Sequence, residues 1–160
     1  MNGTKVSVTT SSDREIEIER SFDAPRPRVF EALTRPELVR QWLLGPPGWT
    51  MPVCEIDLRP GGAFRYVWQN PQKEDMGMSG KFREIVPPDR IVHTELFDVD
   101  WTHGETSVTT VLTERGGRTT VTITVLYSSR EARDGALQSG MESGLEAGYD
   151  LLETLLKRAA

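Results

Sequence analysis

The chain has 160 residues, a formal net charge of -5 with acidic and basic residues mixed along it, and a single cysteine. That length fits one domain with a core large enough to need no staples. The lack of any concentrated Lys and Arg run speaks against nucleic acid as a partner, Cys54 alone excludes an internal disulfide, and no apolar stretch is long enough for a membrane span.

Residues 1–13 are polar, rich in Ser and Thr, and lack the apolar core of a secretion signal. They read as a disordered tail on a cytoplasmic protein, with one domain over residues 14–160. Residues 14–22 alternate, with Ile16, Ile18 and Phe22 on one face and Glu15, Glu17 and Glu19 on the other. This is the pattern of a half-buried strand. Arg20 interrupts the apolar face, which places it near a rim of the sheet. Asp23 is a candidate helix cap, and Pro25 and Pro27 suit a helix entrance. Val29, Phe30 and Leu33 then form the apolar side of a short helix. A second short helix follows Pro36 and carries Leu38, Val39 and Trp42. Gly45-Pro46-Pro47-Gly48 ends it in a loop flanked by Trp42 and Trp49.

Residues 51–127 read as strands separated by turns. Arg59-Pro60-Gly61-Gly62, Asn70-Pro71-Gln72 and Pro87-Pro88-Asp89-Arg90 supply turn chemistry, and Gly116-Gly117 joins two Thr- and Val-rich strands as a hairpin. On the strand 63–69, Phe64, Tyr66 and Trp68 share a face. On the last strand, Val121, Ile123, Val125 and Tyr127 do. Gly77 and Gly80 inside one strand point to a bulge, a bend or a close approach.

Residues 129–158 change period. Ser128 and Glu131 resemble a capping box. Leu137, Met141, Leu145, Tyr149, Leu152 and Leu156 then form one stripe of a long helix. Gly140, Gly144 and Gly148 run beside the stripe at steps of four. Each costs a helix about 1 kcal/mol relative to Ala, so close packing on the sheet or room for a ligand should offset them. Close packing is the favoured reading. The order of elements predicts an α+β fold. An antiparallel meander of about seven strands curls around the carboxy-terminal helix and leaves a cavity if it curls loosely.

These residues resemble a known family. The pattern runs from Phe22-Asp-Ala-Pro25 through Val29-Phe-Glu-Ala-Leu-Thr34 and Trp42 to Arg59-Pro-Gly-Gly62. It continues in Gly80-Lys-Phe-Arg-Glu-Ile-Val-Pro-Pro88-Asp-Arg-Ile91, Ser139-Gly-Met-Glu-Ser-Gly144 and Tyr149-Asp-Leu-Leu-Glu-Thr-Leu-Leu156. It is similar to the family named for the carboxy-terminal domain of the activator of the heat-shock protein 90 ATPase. That family lies within the START-like (SRPBCC) superfamily, whose helix-grip fold is seen in the birch pollen allergen. The resemblance covers about residues 14–157. It implies a seven-stranded sheet gripping the last helix, two short helices closing one end, and an apolar pocket for lipids, sterols, polyketides or similar compounds. Many relatives carry Trp-Trp before the Gly-Pro loop; here it is Trp42-Leu43, so the loop and pocket mouth are expected to differ. The eukaryotic co-chaperone has an additional amino-terminal domain without a counterpart in these residues, which weakens transfer of the co-chaperone role.

No motif for catalysis stands out. His93, His103 and Cys54 match no metal-ligand spacing, and Cys54 reads as a packing residue. His93 lies in a predicted strand and is a candidate to face a pocket, with a satisfied structural histidine the favoured reading, and His103 reads as a solvated loop residue. Gly61-Gly62 and Gly116-Gly117 are turns rather than phosphate loops, and there is no Gly-x-Ser-x-Gly elbow. No cofactor is expected. Aromatic and Met side chains are the better lead, since ligand pockets are mostly apolar with a few polar anchors. The predicted pocket lining is Trp42, Met51, Phe64, Tyr66, Trp68, Met78, His93, Met141, Leu145 and Tyr149, with Met76 and Trp101 as further candidates. Three readings stay open at this point. The first is a binding module for a small hydrophobic or aromatic molecule; the second is a chaperone partner. The third is a cyclase- or hydrolase-like enzyme, less favoured, using His93, Tyr66, Glu95 or Glu84 as acid or base.

Overall fold

The structure is a computed structural model and describes residues 5–158. Eight strands form one antiparallel sheet in the order β1-β2-β8-β7-β6-β5-β4-β3. They are β1 (Ser7–Ser12), β2 (Glu15–Phe22), β3 (Thr50–Ile56), β4 (Ala63–Gln69), β5 (Asp75–Val86), β6 (Arg90–Phe97), β7 (Thr106–Arg115) and β8 (Arg118–Leu126). Strands β3 to β8 are a meander of consecutive neighbours, because each turn is too short to do more than reverse the chain. The amino-terminal strand β2 then pairs with β8, from Glu15 opposite Leu126 to Phe22 opposite Thr119. The edges, β1 and β3, do not meet, so the sheet curls without closing.

Four helices complete the chain: α1 (Arg26–Thr34), α2 (Pro36–Val39), α3 (Arg130–Leu137) and α4 (Met141–Arg158). The α+β helix-grip architecture is as the sequence predicts. Several local features are not. Residues 7–12, expected within a disordered tail, form β1: Ser7 faces Glu19 and Val8 faces Ile18. The strand is polar and exposed on the sheet's edge, so backbone pairing and not burial of an apolar face defines it. Residues 1–4 of the expected tail lie outside the described residues.

The long carboxy-terminal helix is two helices. α3 ends at Leu137, and Gly140, with φ +82°, turns the chain into α4 in a left-handed conformation that glycine adopts without a Cβ penalty. Ser129, not Ser128, caps α3, its side chain accepting from the Ala132 amide at 3.0 Å; Ser128 Oγ donates instead to the His103 carbonyl. Asp23 does not cap α1. Glu114, at the end of β7, accepts from the Arg26 amide at 2.8 Å, so a carboxylate distant in sequence meets the positive end of the helix.

Arg20 is the main departure. It occupies the inward face of β2 beside Ile16, Ile18 and Phe22, and only 3 % of it is exposed. Its guanidinium lies 2.9 Å from Asp150, 2.8 Å from Glu153 and 3.6 Å from Glu146. These carboxylates recur at steps of three and four along one side of α4, so a single cation ties two turns of the helix to the sheet. Arg28 of α1 donates to the Leu156 carbonyl near the carboxy-terminal end of α4, where helix carbonyls have no partner within the helix. An Arg20→Met variant keeps much of the apolar stem but leaves Glu153, whose side chain is 10 % exposed, facing inward without the guanidinium. It should lose about 3 kcal/mol of stability, read from urea denaturation; an unchanged midpoint would contradict the clamp.

Candidate functional site

Helix α4 behaves as two halves. In its second half, Tyr149, Leu152 and Leu156 are buried. Tyr149 stacks on Trp42 with ring centroids 5.8 Å apart and meets Phe22 edge-on at 5.7 Å. Trp42 is fixed in turn by its indole N–H, which donates to the Ala32 carbonyl at 2.8 Å. Here the rings pack on one another, and Trp42 and Tyr149 form the end wall of the space that follows. In the first half, Met141, Gly144 and Leu145 are only partly buried and face a cavity of about 420 Å³ between the helix and the concave side of β3 to β8.

The glycines of α4 separate the two regimes. A Cβ built on Gly148 would sit 3.1 Å from the Trp42 carbonyl oxygen, whereas one on Gly144 would meet nothing within 4 Å. The predicted close packing therefore holds at Gly148, but against the loop after α2 and not against the sheet. The space beside Gly144 is empty.

The cavity gathers most of what the sequence singled out. Trp42, Phe64, Tyr66, Trp68, Met78, His93, Met141, Leu145 and Tyr149 all line it, as do Met76 and Trp101. Met51 is the exception. The register of β3 against β4 slips between Thr50 and Val53, and Met51 is buried in the core without reaching the cavity wall. Such a bulge re-aims a side chain in a way that alternation alone does not reveal. Gly80 marks the close approach expected of a strand glycine, since a Cβ there would run into the Thr94 carbonyl and the Phe64 ring.

All four tryptophans and all three tyrosines of the chain line this space. Phe64 and Tyr66 lie 4.9 Å apart, Tyr66 and Trp68 5.8 Å, and Phe64 meets the His93 ring edge-on at 5.3 Å. Near the mouth, Phe97 packs on Trp101 at 5.2 Å. Asp98 follows Phe97 directly and receives a two-pronged ion pair from Arg65, both contacts 2.7 Å long, which holds the start of the mouth loop to β4. Trp68 Nε1 donates to the Leu43 carbonyl at 2.7 Å, so Leu43 anchors the loop after α2 through its backbone.

The polar groups of the wall are few. His93 and Glu95 lie two apart on β6, so both point inward, and His93 Nε2 donates to Glu95 Oε2 at 2.9 Å. His93 Nδ1 is buried without a hydrogen-bond partner. Burial pushes all three phenols up, Tyr127 to about 12, and the nearby Glu95 carboxylate adds to the shift in each. The phenols are therefore neutral donors near neutral pH. Sequence reasoning named Glu95 only as a weak acid–base candidate and placed Tyr127 only on a strand face. Period-two alternation carried the signal for both, Glu95 through His93 and Tyr127 through Val125. Glu84, a further acid–base candidate, lies outside the cavity and pairs with Arg90. His103 is exposed, as expected. Cys54 is buried, and desolvation raises its thiol above the ordinary range, which suits packing. Among the described residues, no group of three His, Cys, Asp or Glu side chains is placed to hold a metal ion.

The model for the family described as Activator of Hsp90 ATPase homolog 1-like protein matches residues 23–157. The chain belongs to this family. A protein of Rhodobacter sphaeroides with a known crystal structure is 34 % identical. That alignment covers 97 % of this chain and 99 % of the other, with a TM-score of 0.92. A protein of Arthrobacter aurescens, solved by NMR, is 26 % identical over 97 % and 93 % of the two chains, with a TM-score of 0.84. A protein of Nitrosomonas europaea is 25 % identical over 93 % and 97 %, with a TM-score of 0.82. No curated protein matches the chain. No helix among the described residues is long and apolar enough to cross a membrane.

Two outcomes follow from the packing. Gly144→Ala should stabilise the protein by about 0.5–1 kcal/mol, because it gains helix propensity and meets open space. Gly148→Ala should be destabilising, because the Trp42 backbone it meets is held in place. Equal thermal shifts for the two variants would contradict the division of α4. Separately, the tyrosines titrate only from within the cavity. Their ultraviolet ionisation should begin well above the ordinary value of about 10. Stability should be fully present below that pH and fall as pH rises through about 12, the value for Tyr127, since the unfolded chain then releases protons that the folded one retains. A tyrosine ionising near 10 in the folded protein would contradict this arrangement.

Proposed function

We propose that the protein is a binding module for a small, largely apolar or aromatic molecule held between α4 and the concave sheet. The observation that carries this reading is the empty space beside Gly144. A helix glycine costs stability, and no side chain or backbone of the fold closes on it. A volume of about 420 Å³ falls within the range of small-molecule sites, and so does a largely apolar wall with a few convergent polar groups. Trp42, Phe64, Tyr66, Trp68, Met78, His93, Met141, Leu145 and Tyr149 are the proposed contacts. The family description carries a second reading, an effect on a chaperone's ATPase, which addition of the purified protein to that ATPase assay would test.

Gly144→Phe tests the first reading, because the new ring would enter the cavity. Native mass spectrometry against a library of lipids and aromatic metabolites should find ligands for the parent protein. The variant should bind them at least about tenfold more weakly at unchanged or higher thermal stability. A folded parent protein that takes up nothing, or a Gly144→Phe variant that binds as well as the parent, would overturn it.

A further inference from the structure

The charge of the cavity wall narrows the class of molecule. Among the described residues no Lys or Arg lines the cavity, and Glu95 is the one formally charged side chain on it. Glu95 is held from only one side, by His93 Nε2 at 2.9 Å, and its side chain is 27 % exposed. One carboxylate oxygen thus has a partner in the fold and the other has none among the hydrogen bonds of the described residues. The same carboxylate helps raise the phenols of Tyr66 on β4, Tyr149 on α4 and Tyr127 just past β8. Glu95 lines the cavity beside His93 on the inward face of β6.

Three consequences follow from general electrostatics. A ligand carboxylate or phosphate would meet Glu95 with no cation to offset the repulsion, and in a space poorly screened by water that repulsion is large. A neutral ligand would leave the Glu95 charge desolvated with only the histidine to stabilise it. An ammonium group would supply a charge-assisted hydrogen bond to the free oxygen, and the ring faces around it would add cation–π attraction. If His93 is protonated, the pair is neutral overall, and the wall still offers no net positive charge to an anion.

We propose that the cavity selects an organic amine: an apolar or aromatic body with a protonated nitrogen directed at Glu95. This rests on the small-molecule reading above and specifies its ligand.

The test is a matched trio on one skeleton, measured by calorimetry near neutral pH: 2-(1-naphthyl)ethylamine, 2-(1-naphthyl)ethanol and 1-naphthylacetate. The amine should bind about tenfold tighter than the alcohol, and the carboxylate about tenfold weaker than the alcohol. In Glu95→Gln, which keeps the side chain's size and its contact with His93, the amine-to-alcohol ratio should fall to about one. The ranking in the parent protein tests the proposal even if the variant fails to fold. If the alcohol binds while the amine gains nothing over it, or the carboxylate binds best, charge selection by Glu95 is overturned and the cavity reading stands. If Glu95→Gln retains the parent ratio, the assignment to Glu95 is overturned. If none of the three binds although the lipid and aromatic-metabolite library yields ligands for the parent protein, this proposal is overturned and the cavity reading stands; if the library yields none either, both fall.

Discussion

The seat of α4 on Trp42 is the contact on which the rest of the molecule depends. Gly148 brings the helix within 3.1 Å, for an added Cβ, of the Trp42 carbonyl, and Tyr149 stacks on the Trp42 ring one residue later. Because that contact and the Arg20 clamp fix the second half of α4, the first half is carried across the concave sheet at a height set elsewhere. Its own side chains, Met141 and Leu145, do not fill the space below. A helix that was free to settle would collapse onto the sheet, since burying apolar surface is favourable. Held at one end by a tight contact and at its amino terminus by the turn at Gly140, it spans the gap.

The cavity thus follows from how the fold is anchored. The dry half of the core, around Phe22, Val29, Trp42 and Leu152, supplies the rigidity. The open half, around Phe64, Tyr66, His93 and Glu95, supplies the chemistry. β6 contributes to both, with Ile91 buried and His93, Glu95 and Phe97 following it inward along the same face. Local stability is thereby concentrated away from the site, which is where a binding protein can tolerate polar and strained groups.

The fold was legible in the sequence wherever a local period expressed it. Alternation along Phe64, Tyr66 and Trp68 placed three cavity residues on one face, and the stripe from Met141 to Leu156 located α4. What escaped depended on partners distant in the chain. Arg20 looked like a break in an apolar face because nothing near it in sequence indicates three carboxylates about 130 residues later, Glu153 among them. The cap of α1 is Glu114, 88 residues away. β1 has no apolar pattern and exists through edge pairing, which leaves no trace in hydropathy. Met51 followed the alternation rule until a bulge displaced it. Gly144 and Gly148 are identical letters at one helical spacing, and only the backbone that faces each tells them apart.

Xenon tests the central claim most directly, because it enters apolar cavities that are real and empty and needs no knowledge of the ligand. A crystal of the ligand-free protein pressurised with xenon should show density beside Gly144, within the cavity lined by Leu145 and Tyr66. Absence of xenon under the first half of α4, with Met141 and Leu145 packed directly on the sheet, would contradict the account.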